Sequence, residues 1–301
     1  MKTILEAFEA FGERLSPDAP FPAQDFMRVM EPVFASGGYR TSRTAGEKMQ
    51  MLVIMDAGVG DFLCFSGALR EIRRLYPEVA ITLVIFPPGF KLAEQCPYID
   101  FLLGNEQLPV LRPLSELFAA HAGYAAEHLL RQRFDLAFIF GHYASAYLLA
   151  YMAGAKERIG HVGDFAEGGL SREDCAALLT RPLEKPVHPL HMADLCFDVL
   201  DQMLAAPVAD RSLAYFDWYN SFSESRLSSM SGDIMQQYQI LGMAIDGLQK
   251  CKSRLAGDYI KRVDQLQRTI AGHVLMSAMN ARRAAAAAPG NGGEDEGDGD
   301  F

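Results

Sequence analysis

The chain has 301 residues, half of them apolar and 22% charged, which leaves room for one large domain or two modest ones, since single cores stop growing near roughly 250–300 residues. That composition excludes collagen-like, mucin-like and largely disordered chains. A net charge of −10 and a pI near 5.2 give no overall attraction to nucleic acid or to an anionic membrane face.

The first residues, MKTILEAFEAF, carry Glu6 and Glu9 inside what would be the apolar stretch of a secretory signal, so no export is expected. Ile4, Leu5, Phe8, Phe11 and Leu15 recur at helical spacing, and the proline-rich stretch from Ser16 to Pro22 ends that helix. A second short helix is predicted near Gln24 to Phe34, followed by the polar linker SGGYRTSRTAGEK. Residues 1–47 thus read as a helical N-terminal extension that packs on something larger.

From Met49 short apolar runs alternate with amphipathic helices, the pattern of parallel βαβ units. The predicted strands are Met51 to Met55, Ala80 to Phe86, Asp100 to Leu103, Leu136 to Phe140 and Arg158 to Val162. A helix from about Phe62 to Leu75 has Phe62, Phe65, Leu69, Ile72 and Leu75 on one face, turns Arg70, Arg73 and Arg74 outward to solvent, and is stopped by Pro77. The unbroken apolar run MLVIM suits a strand covered on both faces. Residues 48–206 are therefore expected to form a doubly wound, Rossmann-like parallel sheet of strand order 3-2-1-4-5. The twenty uncharged residues from Leu136 to Ala155 are long enough to span a bilayer, but Gly141, His142, Ser145 and Gly154 interrupt them. A buried strand followed by a small-residue helix fits better than a membrane span.

Beyond Ala206 no further βαβ unit is evident. Leu227, Ile234, Leu241, Leu248 and Leu255 recur every seven residues, and Tyr259, Val263, Leu266 and Ile270 continue at helical intervals. This helical region, residues 207–283, either packs its apolar face on the preceding domain or self-associates as a coiled coil. Residues 284–301 are low in complexity; Glu294, Asp295, Glu296, Asp298 and Asp300 fall in the last eight positions, and a disordered acidic tail is expected. The five cysteines, Cys64, Cys96, Cys175, Cys196 and Cys251, are odd in number and never in CxxC, which favours reduced thiols over a disulfide framework or zinc ribbon. A cytoplasmic protein, acting in solution or at the inner membrane face, is the expectation.

Ligands of doubly wound sheets bind beyond the carboxyl ends of the strands, where strand order reverses. For the order expected here that point brings together the loop Asp56-Ala57-Gly58-Val59-Gly60-Asp61 and the loop Gly141-His142-Tyr143. Gly58-Val59-Gly60 does not complete a dinucleotide fingerprint, because Leu63 stands where the third glycine belongs and the second strand ends in Phe86-Pro87-Pro88 without an acidic residue. No Gly-Lys-Ser/Thr follows, so a Walker A loop is also excluded. His188 and His191 have metal-like spacing without a completing ligand set, and no metal is expected. Asp61, at the mouth of the helix, is either an N-cap or a carboxylate that takes the proton of an attacking hydroxyl. His142 is either a packed residue or an orienting group for a substrate hydroxyl or phosphate.

The segments MLVIMDAGVGDFLCFSGALREIRRLYPEVAITLVI, CPYIDFLL, LLRQRFDLAFIF, LAYMAGAKERIGHV and HPLHMADLCFDVL resemble, in order and spacing, the N-terminal half of glycosyltransferase family 9, the ADP-heptose:lipopolysaccharide heptosyltransferases and their relatives. The resemblance covers about residues 50–206. It implies half of a GT-B fold, the half that binds the acceptor, and inverting, metal-independent sugar transfer. It makes Asp61 the catalytic base and Gly58, Val59, Gly60 and His142 substrate-binding residues. No bound cofactor is implied beyond a nucleotide-sugar donor such as ADP-heptose, with a glycan or lipid-linked sugar as acceptor. Three departures stand out: Gly67 replaces a usual proline, Met55-Asp56 replaces a basic residue at the end of the first strand, and no donor-type Rossmann domain is evident after Ala206. A non-catalytic scaffold or sugar-binding module, assembled with itself or a partner chain through residues 227–270, is the alternative; a nucleotide-binding enzyme of another class is a third.

Overall fold

The computed structural model describes residues 3–40, 46–56, 59–85, 89–90, 93–94, 96–104, 112–141, 143–163, 165, 168–186 and 192–214, with scattered positions between 261 and 283. The heptad stretch 227–255 and the tail 284–301 lie outside the described residues, as do His188 and His191.

Helix α1 (Ile4–Gly12) starts at a capping box: the Thr3 hydroxyl accepts the Glu6 N–H, and the Glu6 carboxylate accepts the Thr3 N–H at 2.7 Å. Helix α2 (Ala23–Ser36) follows. The sheet is built from β1 (Gln50–Met55), β2 (Ala80–Ile85), β3 (Phe101–Gly104), β4 (Leu136–Ile139), β5 (Glu157–His161) and β6 (Arg181–Leu183). Among the described residues these six strands run in the order β3-β2-β1-β4-β5-β6, all pairs parallel. The intervening helices are α3 (Val59–Leu75), α4 (Leu114–Tyr124), α5 (Ala144–Met152) and α6 (Arg172–Leu178), and α7 (Met192–Leu204) follows β6. The uncharged stretch that could have crossed a bilayer is β4 and α5, and among the described residues no helix is long and apolar enough to cross a membrane.

Strand periodicity separates two cores. Met51, Val53 and Met55 of β1, Ile81 and Leu83 of β2, and Leu136 and Phe138 of β4 join Phe62, Phe65, Leu69 and Ile72 of α3 and Phe197 and Leu200 of α7. Leu52, Ile54, Ala137 and Ile139 point the other way, into a layer formed by α1, α2, α4, α5 and α6. There Phe8, Phe11, Phe21, Phe26 and Phe34 pack around Phe118 and Tyr151, so the N-terminal helices share a core with the sheet. Leu5, expected on that buried face, is 41% exposed, because it lies about 100° round the helix from Ile4.

Two expectations are corrected. β6 was not expected: its Arg181-Pro182-Leu183 is too short for a hydrophobic pattern, and a proline belongs only on an outer strand such as this. The basic residues of α3 are not all a solvated face either. Arg73 bonds Val79 O at 2.7 Å and pairs with Asp100 at 2.6 Å, and Arg70 bonds Ser212 and pairs with Asp210 at 2.7 Å, leaving only Arg74 mostly exposed. The partner of Arg70 belongs to a strap, residues 208–214, that crosses α3 at Gly67; a Cβ there would lie 2.3 Å from Ser212 O and 2.8 Å from the Phe197 ring. Close backbone approach explains the glycine.

Candidate functional site

Strand order reverses between β1 and β4, so the crevice of a doubly wound sheet opens where these strands end. Asp56 follows β1 directly. Its side chain is buried, accepts the Tyr143 N–H at 3.3 Å, and is covered by Gly141, where a Cβ would lie 2.8 Å from both carboxylate oxygens. The sequence reading treated position 56 as the loss of a positive charge; the structure places there a buried carboxylate tying the end of β1 to the loop after β4.

Of the expected site residues, Gly58 and His142 lie outside the described residues. Val59 and Gly60 open α3, and Asp61 is its third residue. Asp61 is therefore not the N-cap, because the capping position precedes Val59. A carboxylate in the first turn still lies in the favourable field of the helix dipole. It is half-buried, and its charge reaches across to α7: burial first, and the Asp61 carboxylate second, push the Cys196 thiol well above its ordinary range.

Cys196 also lines a cavity of about 60 Å³ beyond the carboxyl ends of β4 and β5, walled by Phe140, Tyr147, Val162, Phe165 and Leu195, with His161 and Lys185 contributing polar groups. Tyr147 donates its hydroxyl hydrogen to His161 O at 2.7 Å, and burial raises its pKa well above the phenolic value, with Cys175 and Asp56 adding to it. His161 Nε2 lies 2.6 Å from Asp198 Oδ2 on α7. Burial lowers the imidazole pKa, the Asp198 carboxylate opposes this, and Lys185 assists it. Sequence reasoning missed this group. The only signal was the position of His161 at a strand end, while Asp198 arrives 37 residues later on another element.

The architecture is similar to that of solved family 9 glycosyltransferases. A glycosyl transferase of family 9 from Veillonella parvula superposes with a TM-score of 0.43 at 20% identity, over 55% of this chain and 43% of that one. The E. coli ADP-heptose lps heptosyltransferase II gives 0.40 at 21% identity, over 60% of this chain and 49% of that one. The E. coli heptosyltransferase WaaC, solved with ADP-2-deoxy-2-fluoro heptose, gives 0.42 at 13% identity, over 56% and 53%. The chain spans about half the length of these structures. No protein-family model and no curated protein matches the sequence.

Proposed function

We propose that the chain acts as the acceptor half of an inverting glycosyltransferase of the heptosyltransferase type, working without a metal, with Asp61 as the base. The observation carrying this reading is the half-buried Asp61 carboxylate in the first turn of α3, directly after β1 at the switch point. An acceptor hydroxyl in the crevice would pass its proton to Asp61 as its oxygen attacks the anomeric carbon of a nucleotide-sugar. The bond to the nucleoside diphosphate breaks on the opposite face, and configuration inverts. Gly58, Val59, Gly60 and His142 are proposed to border the acceptor. The donor, an ADP-sugar such as ADP-heptose, would be held by a second half, from this chain or a partner. The acceptor would be a glycan or a lipid-linked sugar, reached in the cytoplasm at the inner membrane face.

The test compares wild type, Asp61→Asn and Asp61→Ala for release of nucleoside diphosphate from ADP- and UDP-sugars in the presence of lipopolysaccharide-core acceptors. Loss of a general base is expected to slow transfer by about 10²–10⁴-fold with folding intact. Normal turnover by a folded Asp61→Asn protein would overturn the base; no transfer from any donor, by the full chain alone or together with the proteins that co-purify with it, would overturn the enzyme. A second reading, assembly through the C-terminal helix, is favoured by one feature: the helical residues Leu275, Met276 and Met279 are 62%, 54% and 41% exposed. Light scattering of the chain with and without residues 226–301 tests it, and an unchanged mass would exclude it.

A further inference from the structure

The cavity beyond β4 and β5 holds an imidazole that is oriented more firmly than packing requires. A carboxylate only accepts hydrogen bonds, so Asp198 at 2.6 Å fixes the ring proton on Nε2 of His161. Asp198 is itself held: Gln202 Nε2 donates to the same oxygen at 2.6 Å and also to Glu184 O at 2.7 Å. With the proton on Nε2, Nδ1 of the neutral ring carries a lone pair, and it bonds no described residue. On the opposite wall the Tyr147 hydroxyl gives its hydrogen to His161 O and so donates nothing into the cavity, and the Phe165 ring lies 5.2 Å from the Tyr147 ring. The remaining lining is mostly apolar, and Lys185, exposed, stands at the rim without an ion pair to any described residue. A space of about 60 Å³ admits roughly four to six waters at about 10–15 Å³ each, the size of a short hydroxylated carbon chain.

We propose that this cavity is a binding site for a short hydroxylated carbon arm, such as the exocyclic diol of a polyol or sugar, whose hydroxyl donates to Nδ1 of His161 while its carbons lie against Tyr147 and Phe165. The groups whose charge His161 feels are Asp198 and Lys185. Protonation of Nδ1 removes that acceptor, and a hydroxyl bound there must then turn to accept from the ring instead. The site stands whether or not the chain transfers sugar, since Asp61 does not line it.

The experiment is a glycerol titration of the full chain carrying ¹⁵N-labelled histidine, read at the ring nitrogens at pH 7.5. The expected result is a His161 ring protonated on Nε2, with an unprotonated Nδ1 resonance that shifts saturably with glycerol and far less with 1-propanol. Asp198→Asn should weaken glycerol binding at least fivefold by releasing the Nε2 proton. A ring protonated on Nδ1 at pH 7.5 would overturn the proposal. So would a glycerol shift matched by 1-propanol, or one unchanged by Asp198→Asn. The two wild-type readouts decide the matter even if a variant fails to fold.

Discussion

Replacing Gly67 by alanine separates two opposing effects that the structure makes unequal. In an unhindered helix the change is worth about 1 kcal/mol of added stability, because alanine is the better helix former. At Gly67 the new methyl would lie 2.3 Å from Ser212 O, so the strap must withdraw by about 1 Å to restore ordinary contact. The strap cannot move freely. The Ala214 N–H bonds Ser66 Oγ at 3.1 Å, Arg70 bonds Ser212 Oγ at 3.1 Å, and Leu213 and Ala214 are buried. Losing one neutral hydrogen bond and one to a charged group costs about 2–4 kcal/mol, which outweighs the helical gain and leaves Gly67→Ala destabilised by about 1–3 kcal/mol. Gly123, exposed on α4, is the control, since a Cβ there meets nothing within 4 Å. Gly123→Ala should gain up to about 1 kcal/mol. Urea denaturation of both variants should separate them by about 2–4 kcal/mol, roughly 5–15 °C in Tm for a domain of this size. A Gly67→Ala protein as stable as Gly123→Ala would refute the strap as a fixed part of the fold.

Three further outcomes follow. Phe26 is fully buried, with the rings of Phe11, Phe118 and Tyr151 at 4.9, 5.3 and 5.3 Å, so Phe26→Ala should cost about 3–5 kcal/mol in urea denaturation. A loss under about 1 kcal/mol would show that the N-terminal helices are dispensable to the core. Burial lowers the His121 pKa to about 4, against the one hydrogen bond its Nδ1 makes to Leu117 O. The unfolded chain therefore takes up a proton near pH 6.5 that the folded chain refuses, and stability should fall as pH drops from about 6.5 toward 4. His121→Leu should flatten that slope, and an equal slope in both proteins would refute the assignment. Burial also pushes the Cys96 and Cys175 thiols up to about 12 and 11, and Cys64 and Cys196 are buried as well. In a Cys251→Ser background, a thiol-disulfide reagent at pH 8 should then modify none of the four until urea is added.

The sheet was legible because it is read from local patterns. β1 and β2 are largely apolar runs, broken only by Gln50 at the start of β1 and the buried Thr82 in β2, and their predicted ends differ from the observed ones by a single residue. The expected order 3-2-1-4-5 is that of a doubly wound sheet, and the structure has it with β6 added beyond β5. β6 escaped because two of its three residues are exposed and the middle one is proline, so it carries neither alternation nor an apolar run. Arg70 and Arg73 were misjudged for a different reason. Helical spacing places them away from the sheet, but it says nothing about a strap arriving 140 residues later or about the turn that carries Asp100.

The site shows the same division more sharply. The place of Asp61 in the first turn after β1 was legible because a glycine-bearing turn between an apolar strand and an amphipathic helix is itself a local signal. What surrounds it was not. Asp56 gains its meaning from Tyr143 and Gly141 on the loop after β4, and His161 from Asp198 on α7. Each pair joins residues tens of positions apart whose types are unremarkable alone. A carboxylate beside an apolar strand is usually a turn residue, and a histidine at a strand end is usually packing. Only the parallel register, which carries the ends of β1, β4 and β5 to one edge of the sheet, makes them neighbours. The chemistry of this crevice is therefore set by contacts between crossovers, and substitutions at Asp56, His161 and Asp198 should change ligand recognition more than any equal change on the outer faces of α3 or α7.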